Sequence, residues 1–299
     1  AFAWVLRKFM NISGSEGLVA AGNIFMGMTE SPVLIKNYLP TMNRSEIFLV
    51  MVSGMGTIAG SVMGTYIGML GGTDPAAKVL FATHLLSASV MAVPGSIVLA
   101  KMLCPQTEEA TDHVAISGKE KENSNILDAI SSGTVTGVKL MTNIAAMLLV
   151  FISLVALANY ITEGVIGRYT GLNDWIVKIT DGKAQGLTFQ FILGVITSPF
   201  MWLIGVPSQD IMLVGSLLGQ KTILNEFVAY FQLQQWKDAG LFMYEKSILM
   251  STYILCGFAN ISSIGILLGG LGVLAPEKRG LISRIGVPAM IGGALVSVL

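Results

Sequence analysis

The stretch from Gly22 to Leu39 (GNIFMGMTESPVLIKNYL) is apolar almost throughout, yet it carries a carboxylate, Glu30, at its middle. Gly27 precedes that carboxylate and Pro32 follows it. Both residue types weaken a helix, and a charge at the bilayer centre costs several kcal/mol, so a continuous spanning helix is disfavoured. The sequence instead predicts a hairpin that enters the membrane, breaks near its centre and leaves on the same side. Because non-helical backbone at that depth must lie beside protein or a watery cavity, Glu30 becomes a candidate functional residue.

Composition places the whole chain in a membrane. Of the 299 residues, 53% are hydrophobic and only 12% are charged, against about 25% charged in a soluble domain. The apolar segments are separated by short polar loops, which indicates a helical bundle, and the alternating pattern of a porin barrel is absent. The net charge is zero and no basic stripe suggests nucleic acid. The two cysteines and two histidines share no metal-ligand spacing, so neither a disulfide nor a metal cluster is predicted.

Apolar segments recur along the chain, and crossing a bilayer takes about 20 residues. Surface helices are predicted at Ala1–Met10 and Ile126–Lys139. Polar loops are predicted at Pro105–Asn125 and Thr162–Gly186. The predicted spans are Ser45–Leu70, Ala76–Cys104, Leu140–Ile161 and Lys246–Leu268, and shorter apolar segments are Leu187–Val206 and Ile285–Leu299.

Glycines dominate the first long span. Gly56, Gly60, Gly64 and Gly68 recur at four-residue spacing, which predicts a stripe where another backbone packs closely. The same region is too rich in glycine for a good uninterrupted helix, and a local unwinding is predicted at Gly54–Thr57. Freed carbonyls there could bind a cation, whereas the alternative is close packing alone.

The unusual features occur twice in the same order. A stretch with a central glutamate (Glu30) precedes a span with a polar break, and a second such stretch (Glu226) precedes a span broken at Cys256–Gly265. One crossing, Leu140–Ile161, lies between them and would invert the second half. The predicted fold class is an all-α polytopic membrane bundle with two inverted repeats, each a re-entrant hairpin followed by a partly unwound transmembrane helix. This order is typical of a secondary transporter. The predicted divisions are residues 1–125 (first half-repeat), 126–186 (surface helix, connecting span and external loop) and 187–299 (second half-repeat).

The polar groups of these two halves indicate the solute. Two carboxylates, amides and hydroxyls beside the apolar ring of Phe258 match a neutral, hydroxyl-rich molecule with a planar part, such as a sugar with a base attached. Each feature also has a simpler explanation, because a lone glutamate could pair with a lysine and an asparagine could merely cap a broken helix. The coincidence in both halves favours the joint interpretation. The polar candidates are Thr29, Glu30, Asn225, Glu226, Asn260, Ser262 and Ser263.

Three motifs resemble those of the concentrative nucleoside transporters. GNIFMGMTESPVLI is similar to that family's first hairpin motif, and NEFVAY at Asn225–Tyr230 is similar to its second. CGFANISSIGILLGGLG, which continues into APEKR, is similar to its most recognisable segment. The resemblance runs through nearly the whole chain. The spans that the family has before its first surface helix have no counterpart here, so the chain is expected to be a fragment that lacks the family's N-terminal spans.

The resemblance implies a sodium/nucleoside symporter of the cell inner (plasma) membrane. The implied fold has two re-entrant hairpins and assembles as a homotrimer among lipid, with a uridine-like nucleoside as substrate and Na⁺ as coupling ion. No enzyme activity is expected. By motif position, Glu226, Asn260 and Ser263 are expected to bind ribose, Thr29 and Glu30 the nucleobase, and Val62 and Phe258 to supply apolar surface. The expected sodium ligands are the side chains of Asn23 and Thr57 and the carbonyls of Met26 and Ile58.

Two departures keep alternatives open. Met28 stands where the family has a base-contacting glutamine, and Ser31 stands where it has alanine. Because Met28 lacks the amide of that glutamine, the preference for pyrimidine or purine nucleosides stays open. A cation-coupled carrier for another polar solute also stays open as an alternative function. Carboxylates within the membrane at Glu30 and Glu226 leave proton coupling as the alternative to sodium. A channel or an intramembrane enzyme would form a second class. A channel would not need two glutamate-bearing hairpins in inverted halves, and an enzyme would need a nucleophile–base pair or a metal cluster, neither of which occurs at a useful spacing.

Overall fold

The computed structural model describes residues 2–108, 125–180, 182 and 184–299, and every regular element within these ranges is a helix. The chain forms two compact units, Ala1–His113 with Ile192–Leu299, and Val114–Phe191. Most of the predicted loop Pro105–Asn125 lies outside the described residues. The all-helical fold class is confirmed by these elements.

The first part of the chain begins with two short helices and continues with three longer ones. Two of them begin with a capping box, in which a side-chain oxygen and a glutamate satisfy free N–H groups at the helix start. Ser13 and Glu16 form one box, and Asn43 and Glu46 the other. The elements are α1 (Phe2–Met10), α2 (Gly14–Gly22), a 3₁₀ turn (Ser31–Ile35), α3 (Arg44–Gly56), α4 (Gly60–Gly71) and α5 (Pro75–Leu103).

The unit Val114–Phe191 contains α6 (Ile126–Asn159), a π-helical segment (Tyr160–Gly167), α7 (Arg168–Thr170) and α8 (Leu172–Ile179). The predicted separation of a surface helix ending at Lys139 from a span beginning at Leu140 is wrong, because one helix runs through this point. It contains no proline to stop it, and the Thr142 hydroxyl bonds to the Val138 carbonyl one turn back (2.9 Å) instead of competing with the helix.

The rest of the chain returns to the first unit through the helices α9 (Phe189–Leu203), α10 (Ile211–Ile223), α11 (Glu226–Asp238), α12 (Glu245–Leu255), α13 (Ile261–Leu274) and α14 (Arg279–Val298). Within the described residues, three helical segments are long and apolar enough to cross a membrane: Arg44–Gly71, Pro75–Leu103 and Pro276–Val298. These segments fit a multi-pass membrane protein. Pro94 lies inside α5 without ending it.

Both predicted helix breaks are present. The first separates α3 from α4 at Thr57–Ala59, three residues beyond the predicted start of unwinding at Gly54. The second separates α12 from α13 at Cys256–Asn260, inside the predicted stretch.

The predicted glycine stripe is only half correct. A Cβ at Gly56 would lie 2.9 Å from a methyl of Val296, and one at Gly60 would lie 3.1 Å from the Phe25 carbonyl oxygen. At Gly64 and Gly68 a Cβ would meet nothing within 4 Å. The contacts stop because α4 turns these two glycines to the outside of the described structure, where both are exposed. Close packing is therefore confined to the residues around the break.

Candidate functional site

The two helix breaks lie directly against each other. Gly257, in the second break, has a φ of +140°, and a Cβ there would lie 3.0 Å from the carbonyl oxygens of both Met55 and Gly56. Those carbonyls belong to the last turn of α3, just before the first break. Only glycine permits both this backbone conformation and this approach. The sequence is thus folded so that two non-helical segments far apart in the chain, Thr57–Ala59 and Cys256–Asn260, share one region.

Glu226 is at the centre of a buried polar network beside the second break. Only 7% of its surface is exposed. Its Oε2 accepts a hydrogen bond from Asn260 Nδ2 (3.0 Å), and its Oε1 accepts one from the Tyr66 hydroxyl (3.2 Å). Asn260 Oδ1 in turn accepts from the hydroxyls of Ser262 (2.6 Å) and Ser263 (3.0 Å). The structure therefore joins Glu226, Asn260 and Ser263, the predicted ribose ligands.

Two helix starts produce this arrangement. Asn225 caps α11 by accepting from the Val228 N–H (2.9 Å), and Asn260 caps α13 by accepting from the Ser263 N–H (2.9 Å). Asn260 therefore caps a helix, as the simpler explanation has it, but this is only one of its two roles, because its amide nitrogen also donates to Glu226. Helix N-termini carry a partial positive charge, which favours a carboxylate at this position.

An apolar wall adjoins the network. Tyr66 is fully buried on α4, and its ring stacks on Tyr230 with centroids 4.2 Å apart. Val62, one turn earlier on the same helix face, and Phe258 pack against the same apolar cluster. Val62 and Phe258 were predicted from the sequence, whereas Tyr66 was not. Its signal was the single tyrosine of the predicted span Ser45–Leu70, one helical turn after Val62.

The first glutamate-bearing turn contacts both broken helices. Met28 packs on Gly54 of α3, where an added Cβ would lie 2.9 Å from that of Met28, and Thr29 lies against Gly270 of α13. Glu30 turns back over Gly27, where a Cβ would collide with its carboxylate. Glu30 is exposed, whereas Glu226 is buried. The turn is therefore next to the helix that Asn260 caps, and among the described residues Glu30 makes no hydrogen bond to the Glu226 network.

Two of the four expected sodium ligands, Asn23 and Thr57, both bond to Ser53. Asn23 donates to the Ser53 hydroxyl (2.9 Å) and accepts from that of Ser31 (2.5 Å), while Thr57 donates to the Ser53 carbonyl (2.9 Å). The Gly60 N–H bonds to the Phe25 carbonyl (3.0 Å), which ties the turn to the first break. Ser31, the departure from the family's alanine, and Ser53 were not assigned a role from the sequence.

Two backbone carbonyls at this point have no donor. Among the described residues, the Met26 and Ile58 carbonyl oxygens accept no hydrogen bond, although Ile58 is fully buried. A carbonyl oxygen without a donor is available to water or an ion, and among the described residues the carbonyls of Met28 and Thr29 in the same turn are equally without one. Oxygen ligands from carbonyls and side chains are the set that a hard cation prefers.

A buried cation is a second feature that the sequence analysis missed. Lys221 is fully buried in α10 and donates to the Ile254 carbonyl (2.8 Å) and the Ser297 hydroxyl (2.8 Å). Ile254 is in the last turn of α12, where a positive charge interacts favourably with the free carbonyls of a helix end. Lys221 therefore connects α10, α12 and α14 immediately before the second break.

An open groove near the second break lies outside this polar network. This groove of about 440 Å³ is lined by residues of α5, α12 and α14 and includes Cys256, but none of the predicted substrate or ion residues. Within the described part of the chain, no group of three or more His, Cys, Asp or Glu side chains could hold a metal ion.

The family follows from comparison with known proteins. The family described as "Na+ dependent nucleoside transporter C-terminus" matches residues 84–299, and "Nucleoside recognition" matches residues 1–73. The chain belongs to the Na⁺-dependent nucleoside transporter family. The resemblance read from the three sequence motifs is thereby confirmed.

Individual relatives agree with this assignment. An uncharacterized transporter of Haemophilus influenzae is 38% identical over 98% of this chain and 66% of its own length. The sodium/nucleoside cotransporter 1 of Rattus norvegicus is 39% identical over 99% of this chain and 45% of its own length. The solved structure of CNTnw in an inward-facing substrate-bound state is similar with a TM-score of 0.84 and 35% identity, covering 99% of this chain and 65% of that one. The chain thus spans about half to two thirds of the length of these relatives, which are transporters.

Proposed function

We propose that this chain is the substrate- and ion-binding part of a secondary transporter that imports nucleosides by symport with sodium. The observation that carries the proposal is the buried network of Glu226, Asn260 and Ser263, placed where two broken helices meet. A buried carboxylate must be paired or hydrogen-bonded, and sugar hydroxyls can donate such bonds. The network therefore suits a neutral solute with several hydroxyl groups.

The remaining substrate contacts follow from the neighbourhood of the network. Glu226, Asn260 and Ser263 bind the ribose in this proposal, and Val62 and Phe258 flank it with apolar surface. The nucleobase faces the first turn, where Thr29 lies against α13 and Glu30 is exposed. Met28 is packed against Gly54 and lacks an amide, so it contributes shape to the base site without hydrogen bonds.

Sodium is the proposed co-transported cation, bound by the side-chain oxygens of Asn23 and Thr57 and the carbonyls of Met26 and Ile58. The two carbonyls without a donor support this set. Because the Phe25–Gly60 hydrogen bond already joins the turn to the break, a cation between them would order the segment that carries Thr29 and Glu30. Ion and nucleoside would then raise each other's affinity by the same factor, as linkage requires.

The finer architecture is part of the proposal. The two glutamate-bearing stretches are re-entrant hairpins, and residues 1–125 and 187–299 are inverted half-repeats separated by residues 126–186. A homotrimer in the lipid of the cell inner (plasma) membrane, with one nucleoside path per protomer, is the proposed assembly. The paired helix breaks and the placement of Glu226 after a tight turn between α10 and α11 support the hairpins and the repeats, whereas the trimer and its membrane rest on the family resemblance.

Uptake by proteoliposomes tests the proposal. The full-length protein is reconstituted and given labelled uridine under an inward sodium gradient, with choline in place of sodium in one arm and a proton gradient in another. Accumulation above the external concentration is expected only with sodium. A channel would only equilibrate uridine, an enzyme would alter it, and accumulation driven by protons alone would replace sodium as the coupling ion.

A matched pair of variants on α11 tests the site itself. Glu226→Gln should abolish uridine uptake, because one oxygen becomes an N–H₂ donor where the sugar hydroxyl needs an acceptor. Asp238→Asn changes the same charge at the exposed end of the same helix, where 60% of the side chain is accessible, and should leave uptake unchanged. Wild-type uptake by Glu226→Gln would refute the ribose assignment.

A further inference from the structure

We infer that Tyr66 is a positioning residue that orients the Glu226 carboxylate and thereby sets how the transporter distinguishes ribose from deoxyribose. The inference rests on the proposed function, in which Glu226 binds the sugar. It concerns a residue on α4, 160 positions away from Glu226, that makes one of only two side-chain hydrogen bonds to that carboxylate among the described residues.

The phenol that makes this bond is itself held in place. Tyr66 is fully buried, and its ring stacks on Tyr230 at an interplanar angle of 23°. The Tyr230 hydroxyl donates to the Thr252 carbonyl (2.8 Å), which anchors the second ring to α12. Phe227 approaches the Tyr66 ring at 6.4 Å between centroids. The Tyr66 hydroxyl is therefore a fixed donor, and the plane of the Glu226 carboxylate must adjust to it.

The fixed donor determines which acceptor directions remain for a ligand. A carboxylate offers about four lone-pair directions, two on each oxygen. Tyr66 uses one on Oε1 and Asn260 uses one on Oε2. One direction is left on each oxygen, and this pair matches the two adjacent hydroxyls of a ribose. A sugar with only one of these hydroxyls can use only one of the two.

Without Tyr66 the carboxylate loses this constraint. The last torsion of a glutamate side chain has a broad, weakly restricted profile, so the bond from Asn260 alone leaves the carboxylate free to rotate. Rotation weakens a two-point contact with a diol more than a one-point contact with a deoxysugar. Removing the Tyr66 hydroxyl should therefore reduce the preference for ribose over deoxyribose, rather than reduce all uptake equally.

Transport kinetics in proteoliposomes test this for the full-length protein. KM and maximum rate are measured for uridine, 2′-deoxyuridine and 3′-deoxyuridine in the wild type and in Tyr66→Phe. For the variant, the KM for uridine should rise roughly tenfold, the size expected for one hydrogen bond to a charged group. The KM values for the two deoxynucleosides should change much less, and the maximum rates should stay near those of the wild type.

Tyr253→Phe is the matched control, because it removes the hydroxyl of another partly buried tyrosine, one that bonds to His84 (3.0 Å) and neither to Glu226 nor to the Tyr66–Tyr230 ring stack. Its ratio of uridine to deoxyuridine KM should equal that of the wild type. If Tyr66→Phe does not fold, 4-fluorophenylalanine at position 66 fills the volume of the hydroxyl without restoring the donor, and the same ratio is measured.

The outcomes separate the inference from the proposed function. A wild type that does not accumulate uridine overturns the proposed function and the inference with it. A wild type that accumulates uridine, beside a Tyr66→Phe that keeps the wild-type ratio, overturns the inference alone. An equal rise in KM for all three nucleosides, or a protein that folds with neither replacement, shows a purely structural role for Tyr66 and also overturns it.

Discussion

Gly257→Ala should disrupt the contact between the two helix breaks. The residue has a φ of +140°, a backbone conformation that is essentially reserved for glycine, and forcing another residue into such a region costs about 1–3 kcal/mol. The added methyl would also lie 3.0 Å from two carbonyl oxygens, and overpacking of this kind costs about 1–3 kcal/mol.

Together these terms give a loss of about 2–6 kcal/mol in the free energy of unfolding. Total stabilities are about 5–15 kcal/mol, and each 1.4 kcal/mol changes an equilibrium tenfold. The population of unfolded protein should therefore rise by more than roughly tenfold. Because Phe258 and Asn260 lie within three residues of Gly257, the molecules that remain folded should also transport uridine more slowly.

The assay is the fraction of detergent-solubilised protein that stays monodisperse after heating, followed by uridine uptake per folded molecule. Gly265→Ala is the control, since a Cβ at that position in α13 meets nothing within 4 Å. Replacing a glycine inside a helix gains about 0.5–1 kcal/mol, so this variant should be as stable as the wild type or more so. A Gly257→Ala protein that melts with the wild type would refute the argument that the breaks require close approach.

Three further predictions concern the surroundings of the site. Lys101→Met removes the ion-pair partner of buried Glu16 and should lower the free energy of unfolding by about 2–3 kcal/mol, less than for a fully buried pair because Lys101 is 22% exposed. Adding Glu16→Gln should restore most of the melting temperature. An equal loss of stability in the double variant would contradict this. Ser297→Ala removes a hydrogen-bond acceptor of buried Lys221 and should lower stability by about 1.5–3 kcal/mol in the same heating assay. An unchanged melting curve would show that the Lys221–Ser297 hydrogen bond is dispensable. Thr57→Val should raise the sodium concentration for half-maximal uptake roughly tenfold. Thr83→Val loses an equivalent hydrogen bond on an exposed helix face and should leave that concentration unchanged. Equal sodium dependence in the two variants would remove Thr57 from the ion site.

Local sequence patterns predicted the helix breaks with different success. The second break lies where it was predicted, because Gly257 cannot continue a helix at its φ and Asn260 is a strong start signal for α13. The first break begins at Thr57 instead of Gly54. Gly54 and Gly56 remain helical because neighbours fill the space that their missing side chains leave, Met28 at one and Val296 at the other. Those neighbours are distant in sequence, so no local pattern could have moved the boundary.

The sequence alone determined that the chain belongs in a membrane. It also determined the positions at which two acidic residues interrupt the apolar segments, and the residue types around them. Each of these follows from local hydropathy and helix propensity. The sequence also determined the family, through three long motifs. Only the tertiary structure decided which polar groups meet. The hydrogen bond from Tyr66 to Glu226, the contacts of Lys221 and the approach of Gly257 to α3 all join residues far apart in the chain. A periodic pattern states which face of a helix is apolar, but the partner of that face depends on how the whole chain packs.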